Sequence, residues 1–333
     1  MAALRGLALR LVLFAPLALA GCGSSDELQP AAEPATSPPL TRAPAGKVVR
    51  VGSGPEGLVA DPRTGLVAVG LRNPDRLALV EGSSGRIERR VRLPESPRHL
   101  QLAASGGPVL VPAERADALL RVSLPGGRLS SAAVGAFPHD AAAAAGRLFV
   151  ADERGDTVTV LAGRRRIRTL PAPVQPGGVA AAGGKVAVVA VGERVLEVFD
   201  ARTLRSLGRA SAGVGPTHVV ALGERIYVVD TSGDALLEFR LEPQPVLKRR
   251  IALLGSPYGV AVDPRRRRLW VTLTARNRVV EVDPDDGPLR RRPTVRQPNS
   301  VAVDPRSGRV YVASLIDGTL QIIDVDRRRA PPG

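Results

Sequence analysis

The sequence predicts an all-β fold made of seven similar four-stranded units, and three observations lead to this prediction. First, a segment of about 40 residues recurs, and each copy opens with one of seven prolines: Pro55, Pro97, Pro138, Pro176, Pro216, Pro257 and Pro298. Second, each copy carries short runs of alternating apolar residues bounded by Gly, Asp and Pro, which is typical of half-buried antiparallel strands. Third, the last copy is one strand short, and the segment ahead of the first copy has the pattern of the missing strand.

The spacing of the prolines is nearly constant. Successive prolines are 42, 41, 38, 40, 41 and 41 residues apart, and a fixed period in this range indicates a solenoid, a propeller or an array. Stacked repeats share one continuous core. We therefore predict a single repeat domain over residues 47–328 of the 333-residue chain, followed by a disordered tail at 329–333.

The first strand of each copy follows its proline, as in GVAVD from Gly259. In the third copy this place is taken by Ala141 to Ala145, and five alanines favour a helix on intrinsic propensity. The repeat register nevertheless predicts a strand there, because tertiary context overrides propensity in sheets. The second strand is the clearest, for example IYVVD from Ile226, and the third reads VVEVD from Val279.

The fourth strand is polar and rich in arginine, as in LKRRIALL from Leu247 and LRRRPTV from Leu289. Charge of this kind suits the outermost edge of a sheet, where it discourages pairing with a foreign strand. The seventh copy ends at Asp326 without such a strand, whereas 47–52 (KVVRVG) resembles one. An open solenoid would need capping repeats and leaves this strand unexplained. A ring closed by the N-terminal strand explains it, so the prediction is a seven-bladed β-propeller of four-stranded antiparallel blades.

Two segments resemble the YVTN and NHL groups of propeller repeats: SPYGVAVDPRRRRLWVTLTARNRVVEVD from Ser256 and QPNSVAVDPRSGRVYVASLIDGTLQIID from Gln297. The resemblance extends over nearly all of 47–326 and is strongest in the last three copies. It implies the fold and not an activity, because such propellers include enzymes, binders and scaffolds. The streptogramin lyases and the propeller-type lactonases are similar in fold. Only 269–272 (LWVT) approaches the Trp-Phe-Thr pattern of the lyase repeats.

The N-terminus has the layout of an export signal. Arg5 and Arg10 precede the apolar run LVLFAPLALA at 11–20, and small residues follow, as in a secretory signal peptide. The run is shorter than the roughly 20 residues of a membrane span. Leu-Ala-Gly-Cys at 19–22 resembles a bacterial lipobox, which implies a signal peptide at 1–21 and a lipid on Cys22. The alternative is an ordinary cleaved signal with an incidental cysteine.

Residues 22–46 are rich in Pro, Ala, Ser and Thr and lack an apolar period, which predicts a flexible linker between the membrane and the propeller. Cys22 is the single cysteine. The composition therefore excludes an intrachain disulfide, a thiolate metal site and a cysteine nucleophile within the repeat domain.

The formal net charge is +15, almost entirely from arginine. Such a charge is consistent with anionic lipid, an acidic envelope polymer or nucleic acid as a partner. The alternatives are an arginine-rich composition inherited from the genome and solvated strand edges. The export signal and the lack of interleaved aromatic residues disfavour nucleic acid.

The residues two positions after each proline form a ring near one mouth of the predicted channel: Gly57, His99, Asp140, Gly178, His218, Gly259 and Ser300. All three histidines lie in or beside this ring, and Glu56, Tyr258 and Asn299 occupy the place equivalent to that of His139. Histidines and carboxylates that converge could bind a divalent metal or transfer protons. The candidate catalytic residues are therefore His99, His139, Asp140 and His218, and the candidate ligand-binding residues are Glu56, Tyr258 and Asn299.

Three interpretations of this ring remain open: turn residues whose imidazoles bind backbone, a ligand-binding mouth, or a catalytic site. The width of a seven-bladed channel is expected to keep the three histidines from forming one metal site. The chain has no Gly-rich phosphate loop and no nucleophile elbow, so no cofactor is assigned. We predict a monomeric, membrane-anchored extracytoplasmic module that binds or scaffolds protein, anionic lipid or envelope polymer. The alternative is a metal-assisted lyase or lactonase.

Overall fold

The computed structural model of the protein describes residues 30–325. The predicted signal peptide, Cys22 and the tail at 329–333 lie outside the described residues. The described part is a ring of seven four-stranded antiparallel sheets, which confirms the predicted all-β, seven-bladed propeller. We number the blades 1 to 7 in chain order. No helix among the described residues has the length and apolarity needed to cross a membrane.

In blades 1 to 6 the strands run from innermost to outermost in sequence order. Blade 1 has β2 (Pro55–Ala60), β3 (Leu66–Leu71), β4 (Arg76–Glu81) and β5 (Ile87–Arg92), and blade 2 has β6 (Gln101–Leu102), β7 (Val109–Ala113), β8 (Ala118–Val122) and β9 (Leu129–Ala133). Blade 3 has β10 (Pro138–Ala144), β11 (Arg147–Asp152), β12 (Thr157–Ala162) and β13 (Arg165–Pro171), and blade 4 has β14 (Pro176–Ala182), β15 (Lys185–Ala190), β16 (Val195–Asp200) and β17 (Ser206–Ser211).

Blades 5 and 6 follow the same plan, and blade 7 takes its outer strand from the N-terminus. Blade 5 has β18 (Pro216–Leu222), β19 (Arg225–Asp230), β20 (Ala235–Arg240) and β21 (Val246–Ala252). Blade 6 has β22 (Pro257–Asp263), β23 (Arg268–Leu273), β24 (Arg278–Asp283) and β25 (Gly287–Pro293). Blade 7 has β26 (Pro298–Val303), β27 (Val310–Ser314), β28 (Thr319–Ile323) and, as its outer strand, β1 (Lys47–Arg50). Two short 3₁₀ turns occur at Glu114–Ala116 and Thr274–Arg276.

The ring closes as the sequence predicts. Strand β1 pairs with β28 in antiparallel register, with Lys47 opposite Ile322 and Arg50 opposite Thr319. Val51, directly after β1, is fully buried and packs into the core shared by blades 7 and 1. The N- and C-terminal parts of the described chain therefore belong to one sheet, which leaves no open end in the ring.

The burial of each strand follows its position. All six residues of the second strand β3 are buried, whereas most of the outer strand β5 is exposed. The apolar clusters lie between neighbouring blades, and one of them combines side chains of blades 4 and 5. Few aromatic residues are available, so the core consists mainly of Val, Leu, Ile and Ala around Trp270 and Tyr227.

Two local features differ in how far they follow the predicted strands. The alanine run of the third copy is part of β10, which pairs with β11 as far as Ala144 opposite Arg147. Ala145 adopts a positive φ of 49° and begins the turn. In the second copy the predicted strand from His99 is reduced to β6, Gln101–Leu102, and His99 lies before it. Pro97 is held by an isolated bridge to Ala113 instead.

The described part of the predicted flexible linker, residues 30–46, is partly docked on the propeller, which corrects that prediction. The Ser37 amide donates to Gln297 Oε1 (2.9 Å), and the Ser37 hydroxyl donates to the Thr274 carbonyl (2.6 Å). The Ala35 amide donates to Ser256 Oγ (3.0 Å). Ser37 is buried at 2% exposure. We call residues 30–40 the strap. Although the strap has few apolar side chains, it is held in place because its backbone forms specific hydrogen bonds with blades 5 to 7.

Candidate functional site

The predicted ring of residues lies at the end of the propeller where the inner strands begin, and we call this end the histidine face. The turns that lead into the inner strands lie here, and so do the turns between the second and third strands of each blade. Because antiparallel strands reverse at each turn, these two sets of loops fall at the same end. The strap crosses this face, since it bonds to Ser256 and Gln297 just ahead of inner strands β22 and β26.

Four aromatic rings from four blades meet across the channel at this face, and we call them the ring row. His139 and His99 have centroids 4.6 Å apart and lie edge to face. His99 and His218 are 4.5 Å apart with a tilt of 34°, and His218 lies edge to face with Tyr258 at 4.5 Å. The histidines therefore converge and stack although they come from different blades of the ring.

The two central imidazoles bond to each other. Nε2 of His99 and Nε2 of His218 are 3.1 Å apart, so one ring donates and the other accepts. Burial, together with the adjacent histidines and Arg98, lowers the pKa of His218 to about 3 and holds the pKa of His99 well below its usual range. Both rings are therefore neutral at pH 7, and neither has a second ring nitrogen bonded to another described residue.

His139 is oriented by a carboxylate and a guanidinium. Its Nδ1 lies 2.7 Å from Glu153 Oε2, and Arg98 Nε donates to its Nε2 at 3.3 Å. Arginine is always a donor, so Nε2 accepts and Nδ1 carries the proton that bonds to Glu153. Burial raises the pKa of Glu153, but the hydrogen bonds from His139 and Gln175 outweigh it and hold that pKa at about 2.

Beside His139, two arginines alternate with two glutamates. Arg98 bonds Glu56 at 2.6 Å and lies 3.2 Å from Glu114. Arg72 bonds the same two carboxylates at 2.8 and 3.3 Å. Because all four groups are mostly withdrawn from water, such pairs hold a geometry firmly when complete. Glu56, a predicted ligand-binding residue, is thus committed to two arginines.

Arg72, Glu114 and Glu153 were not among the predicted site residues. Each stands directly after the second strand of its blade, at the same register position after β3, β7 and β11. An alignment of the repeats on the second strand, rather than on the proline, would have placed them together on the histidine face.

Asp140 has a structural role at the wall of the channel. It accepts hydrogen bonds from the amides of Ala141 (2.8 Å) and Val179 (3.0 Å), and Gln101 Nε2 approaches both carboxylate oxygens (3.0 and 3.1 Å). Burial raises the pKa of Asp140 to about 6. With its acceptor sites filled, it ties blade 3 to blades 2 and 4.

The two remaining predicted ligand-binding residues are also engaged. Asn299 is buried and its Oδ1 accepts from Gln297 Nε2 at 3.2 Å, and Gln297 in turn bonds to the strap. Tyr258 ends the ring row, and burial raises its pKa to about 12, so its hydroxyl stays protonated at pH 7. Of the predicted ligand-binding residues, Tyr258 alone joins the stacked histidines.

One group among the described residues has the geometry of a metal site. Ligand atoms of Glu114, His139 and Glu153 all lie within 4.8 Å of one another. The three histidines do not form such a group. Arg98 Nε is within 3.3 Å of both Glu114 and His139, so the guanidinium now occupies the position that a cation would need.

Below the ring row, the central channel forms a cavity of about 510 Å³. His99, His218 and Asn299 line it at the histidine face, and the turns that contain Pro62, Pro264 and Pro305 line it at the opposite end. The inner strands form its wall. The ring row therefore lies between the cavity and the loops of the histidine face.

No protein-family model and no curated protein sequence matches this chain. Many solved structures do. A chain of Kuenenia stuttgartiensis hydrazine synthase matches with a TM-score of 0.72 and 16% identity, over 84% of this chain and 97% of that one. Virginiamycin B lyase from Staphylococcus aureus matches with a TM-score of 0.69 and 13% identity, over 83% and 99%.

A chain of a mitotic checkpoint complex matches with a TM-score of 0.72 and 13% identity, over 89% of this chain and 99% of that one. Identities this low establish the fold alone. The protein is a seven-bladed β-propeller whose structural neighbours include a lyase and a member of a protein complex. Its membership of the YVTN or NHL repeat groups stays a prediction.

Proposed function

We propose that the protein is a lipid-anchored, extracytoplasmic β-propeller that acts as a binding module. The observation that carries the binding role is the saturation of the predicted catalytic groups. His99 bonds His218, His139 is fixed between Glu153 and Arg98, and Asp140 accepts hydrogen bonds from Gln101 and from the amides of Ala141 and Val179. Because each of these groups is bonded to another side chain or to the backbone of the site, they form a rigid scaffold rather than a set of mobile acids and bases.

The strap gives this proposal a geometry. The described chain starts at Pro30, and eight residue steps separate Pro30 from Cys22, a reach of at most about 28 Å. The strap is fixed to the histidine face by Ala35 and Ser37. A lipid on Cys22 would therefore hold the histidine face toward the membrane, with the opposite end of the channel directed away from it.

The outer strands supply a second contact surface in this proposal. Arginines of β5, β13, β21 and β25 are largely exposed on the periphery of the ring. Each basic group near an anionic membrane contributes about 1 kcal/mol of attraction. We propose that these strands contact anionic lipid headgroups or an acidic envelope polymer, as an addition to the lipid anchor.

The anchor is tested by fractionation of cells that express the chain or its Cys22→Ser variant. We expect the native chain in the membrane fraction, with a lipid on the Cys22 peptide by mass spectrometry, and the variant in the soluble extracytoplasmic fraction. The variant should be washed from residual membrane by 1 M salt if only the arginines hold it, because salt screens surface charge. A variant that stays in the membrane after this wash, although mass spectrometry shows that its signal peptide has been removed, would count against the lipid anchor.

The second candidate function is a metal-assisted lyase or lactonase. The group Glu114, His139 and Glu153 favours it, as does the likeness in fold to virginiamycin B lyase, of which a catalytically inactive histidine-to-alanine variant is known with quinupristin. Elemental mass spectrometry of the purified chain tests it. Stoichiometric metal that is lost in Glu114→Gln and kept in Glu88→Gln, an exposed control, would support the enzyme; absence of bound metal after dialysis against Zn²⁺ or Mn²⁺ would refute it.

A further inference from the structure

We infer that the central channel is a binding site for a neutral small molecule that has an apolar body and one hydrogen-bond acceptor at its end. The inference deepens the proposed binding role by naming the class of ligand, and it does not depend on the lipid anchor. It rests on three features of the channel: the wall, the hydrogen-bonding groups at its closed end, and the charge there.

The wall of the channel is mainly apolar, with polar groups such as Gln101 and Ser300 among the lining residues. Small partly exposed side chains from successive inner strands line it, among them Val59, Ala143, Ala181, Ala221 and Ala261. Asp140 is the one charged residue that lines the cavity within the described chain, although 24% of the whole sequence is charged. The cavity volume of about 510 Å³ falls in the range of about 300–1,000 Å³ that is typical of small-molecule sites.

The end of the channel at the histidine face offers a hydrogen-bond donor on His99, and its position follows from the tautomer of His218. Nδ1 of His218 is enclosed and has no partner among the described residues. A buried N–H without an acceptor is rarer and more costly than a buried acceptor without a donor. The favoured tautomer of His218 therefore carries its proton on Nε2 and donates it to Nε2 of His99.

This tautomer determines the state of His99. If Nε2 of His99 accepts, its single proton lies on Nδ1, and no described group accepts a hydrogen bond from that atom. His99 lines the cavity and is partly exposed. Nδ1–H of His99 is thus a fixed donor available to a ligand, and a carbonyl or ether oxygen would satisfy it.

The charge at the closed end selects against ionic ligands. The pKa of Asp140 is about 6, so its carboxylate is mainly ionised at pH 7 and would repel an anionic head group. A cationic ligand would gain little binding free energy from Asp140, because the oxygens of Asp140 already accept hydrogen bonds from Gln101, Ala141 and Val179. The apolar wall would also remove the hydration shell of the cation. The ring row and the strap lie at the histidine face, so the proposed entry for the ligand is the opposite end, between the turns of Pro62, Pro264 and Pro305.

Isothermal titration calorimetry of the detergent-free Cys22→Ser chain tests the inference, because detergent would itself compete for an apolar channel. The probes are 2-octanone, octanoate and octylammonium, which share a chain length and differ in head group. We expect saturable 1:1 binding of 2-octanone and at least tenfold weaker binding of both ions. No saturable binding of 2-octanone, or equal binding of the three probes, would overturn the inference.

Substitutions in the wall locate the binding. Ala181→Phe should fill the channel and abolish binding of 2-octanone, whereas Ala133→Phe, on the exposed face of β9, should leave it unchanged. His99→Phe keeps a ring and removes the donor, so the affinity should fall about tenfold. If thermal melting shows that Ala181→Phe fails to fold, the smaller change Ala221→Leu replaces it. Binding unaffected by a folded wall variant would place the site elsewhere. Cell fractionation of Cys22→Ser is independent of these outcomes, so failure of the channel and failure of the anchor are distinguishable.

Discussion

The closing strand β1 provides the sharpest test of how the fold is held together. We compare two truncated chains: one begins at Thr41, which removes the strap, and the other begins at Ser53, which also removes β1. Both keep every strand from β2 to β28. The difference between them isolates the contribution of the strand that joins the two ends of the ring.

The magnitude follows from the contacts that β1 makes. Four residue pairs join β1 to β28, from Lys47 opposite Ile322 to Arg50 opposite Thr319, which corresponds to about four ladder hydrogen bonds. The Val51 amide adds a bond of 3.0 Å to the Gly318 carbonyl. At about 1 kcal/mol each, with about 2 kcal/mol for the fully buried Val51 side chain, the strand contributes roughly 7 kcal/mol.

This contribution is comparable to the whole stability of a typical protein, roughly 5–15 kcal/mol. The chain that begins at Ser53 should therefore be unfolded or aggregated at 25 °C, whereas the chain that begins at Thr41 should unfold cooperatively near the midpoint of the full chain. Urea denaturation followed by circular dichroism measures both. Equal midpoints for the two truncations would refute the closure of the ring by β1.

Three further predictions follow from individual residues. Gly57 has a φ of +81°, and a Cβ there would meet the Arg98 carbonyl, whereas Gly65 has a φ of +71° with open space around it. Gly57→Ala should therefore destabilise the fold by more than about 2 kcal/mol and Gly65→Ala by only about 1 kcal/mol. Equal denaturation midpoints of the two variants would contradict this prediction. The pKa of His218 falls from 6.5 to about 3 on folding, so the neutral ring stabilises the folded state fully above pH 6.5, and this contribution is lost as the pH falls toward 3. The stability advantage of the native chain over His218→Phe should therefore shrink from pH 7 to pH 5. A difference in melting temperature between the two chains that does not change with pH would argue against this prediction. Gln297→Ala removes the acceptor of the buried Ser37 amide, so hydrogen exchange at the Ser37 amide should accelerate at least tenfold while the core strands keep their protection. An unchanged exchange rate would mean that the strap is held by other contacts.

Much of the candidate site could be anticipated because it follows the repeat. The ring position after each proline predicted that His99, Asp140 and His218 share one end of the channel, and all three line the cavity there. What the repeat could not supply is the pairing of these groups. Whether two imidazoles bond to each other or bind a ligand depends on distances across the ring, between residues 119 positions apart in the case of His99 and His218.

The strap shows a second kind of limit. A Pro-, Ala- and Ser-rich segment has too little apolar surface to predict a docked conformation. Its attachment depends on Ser256, Thr274 and Gln297, polar groups more than 200 residues away that no local pattern links to Ser37.

The sequence by itself determined the number of blades, the strand order and the closure of the ring, because these depend on periodicity and on alternation of apolar residues along the chain. Only the tertiary structure decided which groups at the histidine face are free. Arg72, Arg98, Glu56 and Glu114 pair with one another, and the histidines stack with one another and with Tyr258. The physical reason is that hydrogen bonds and ion pairs act over about 3 Å in space, and only the folded ring brings these distant side chains within that range.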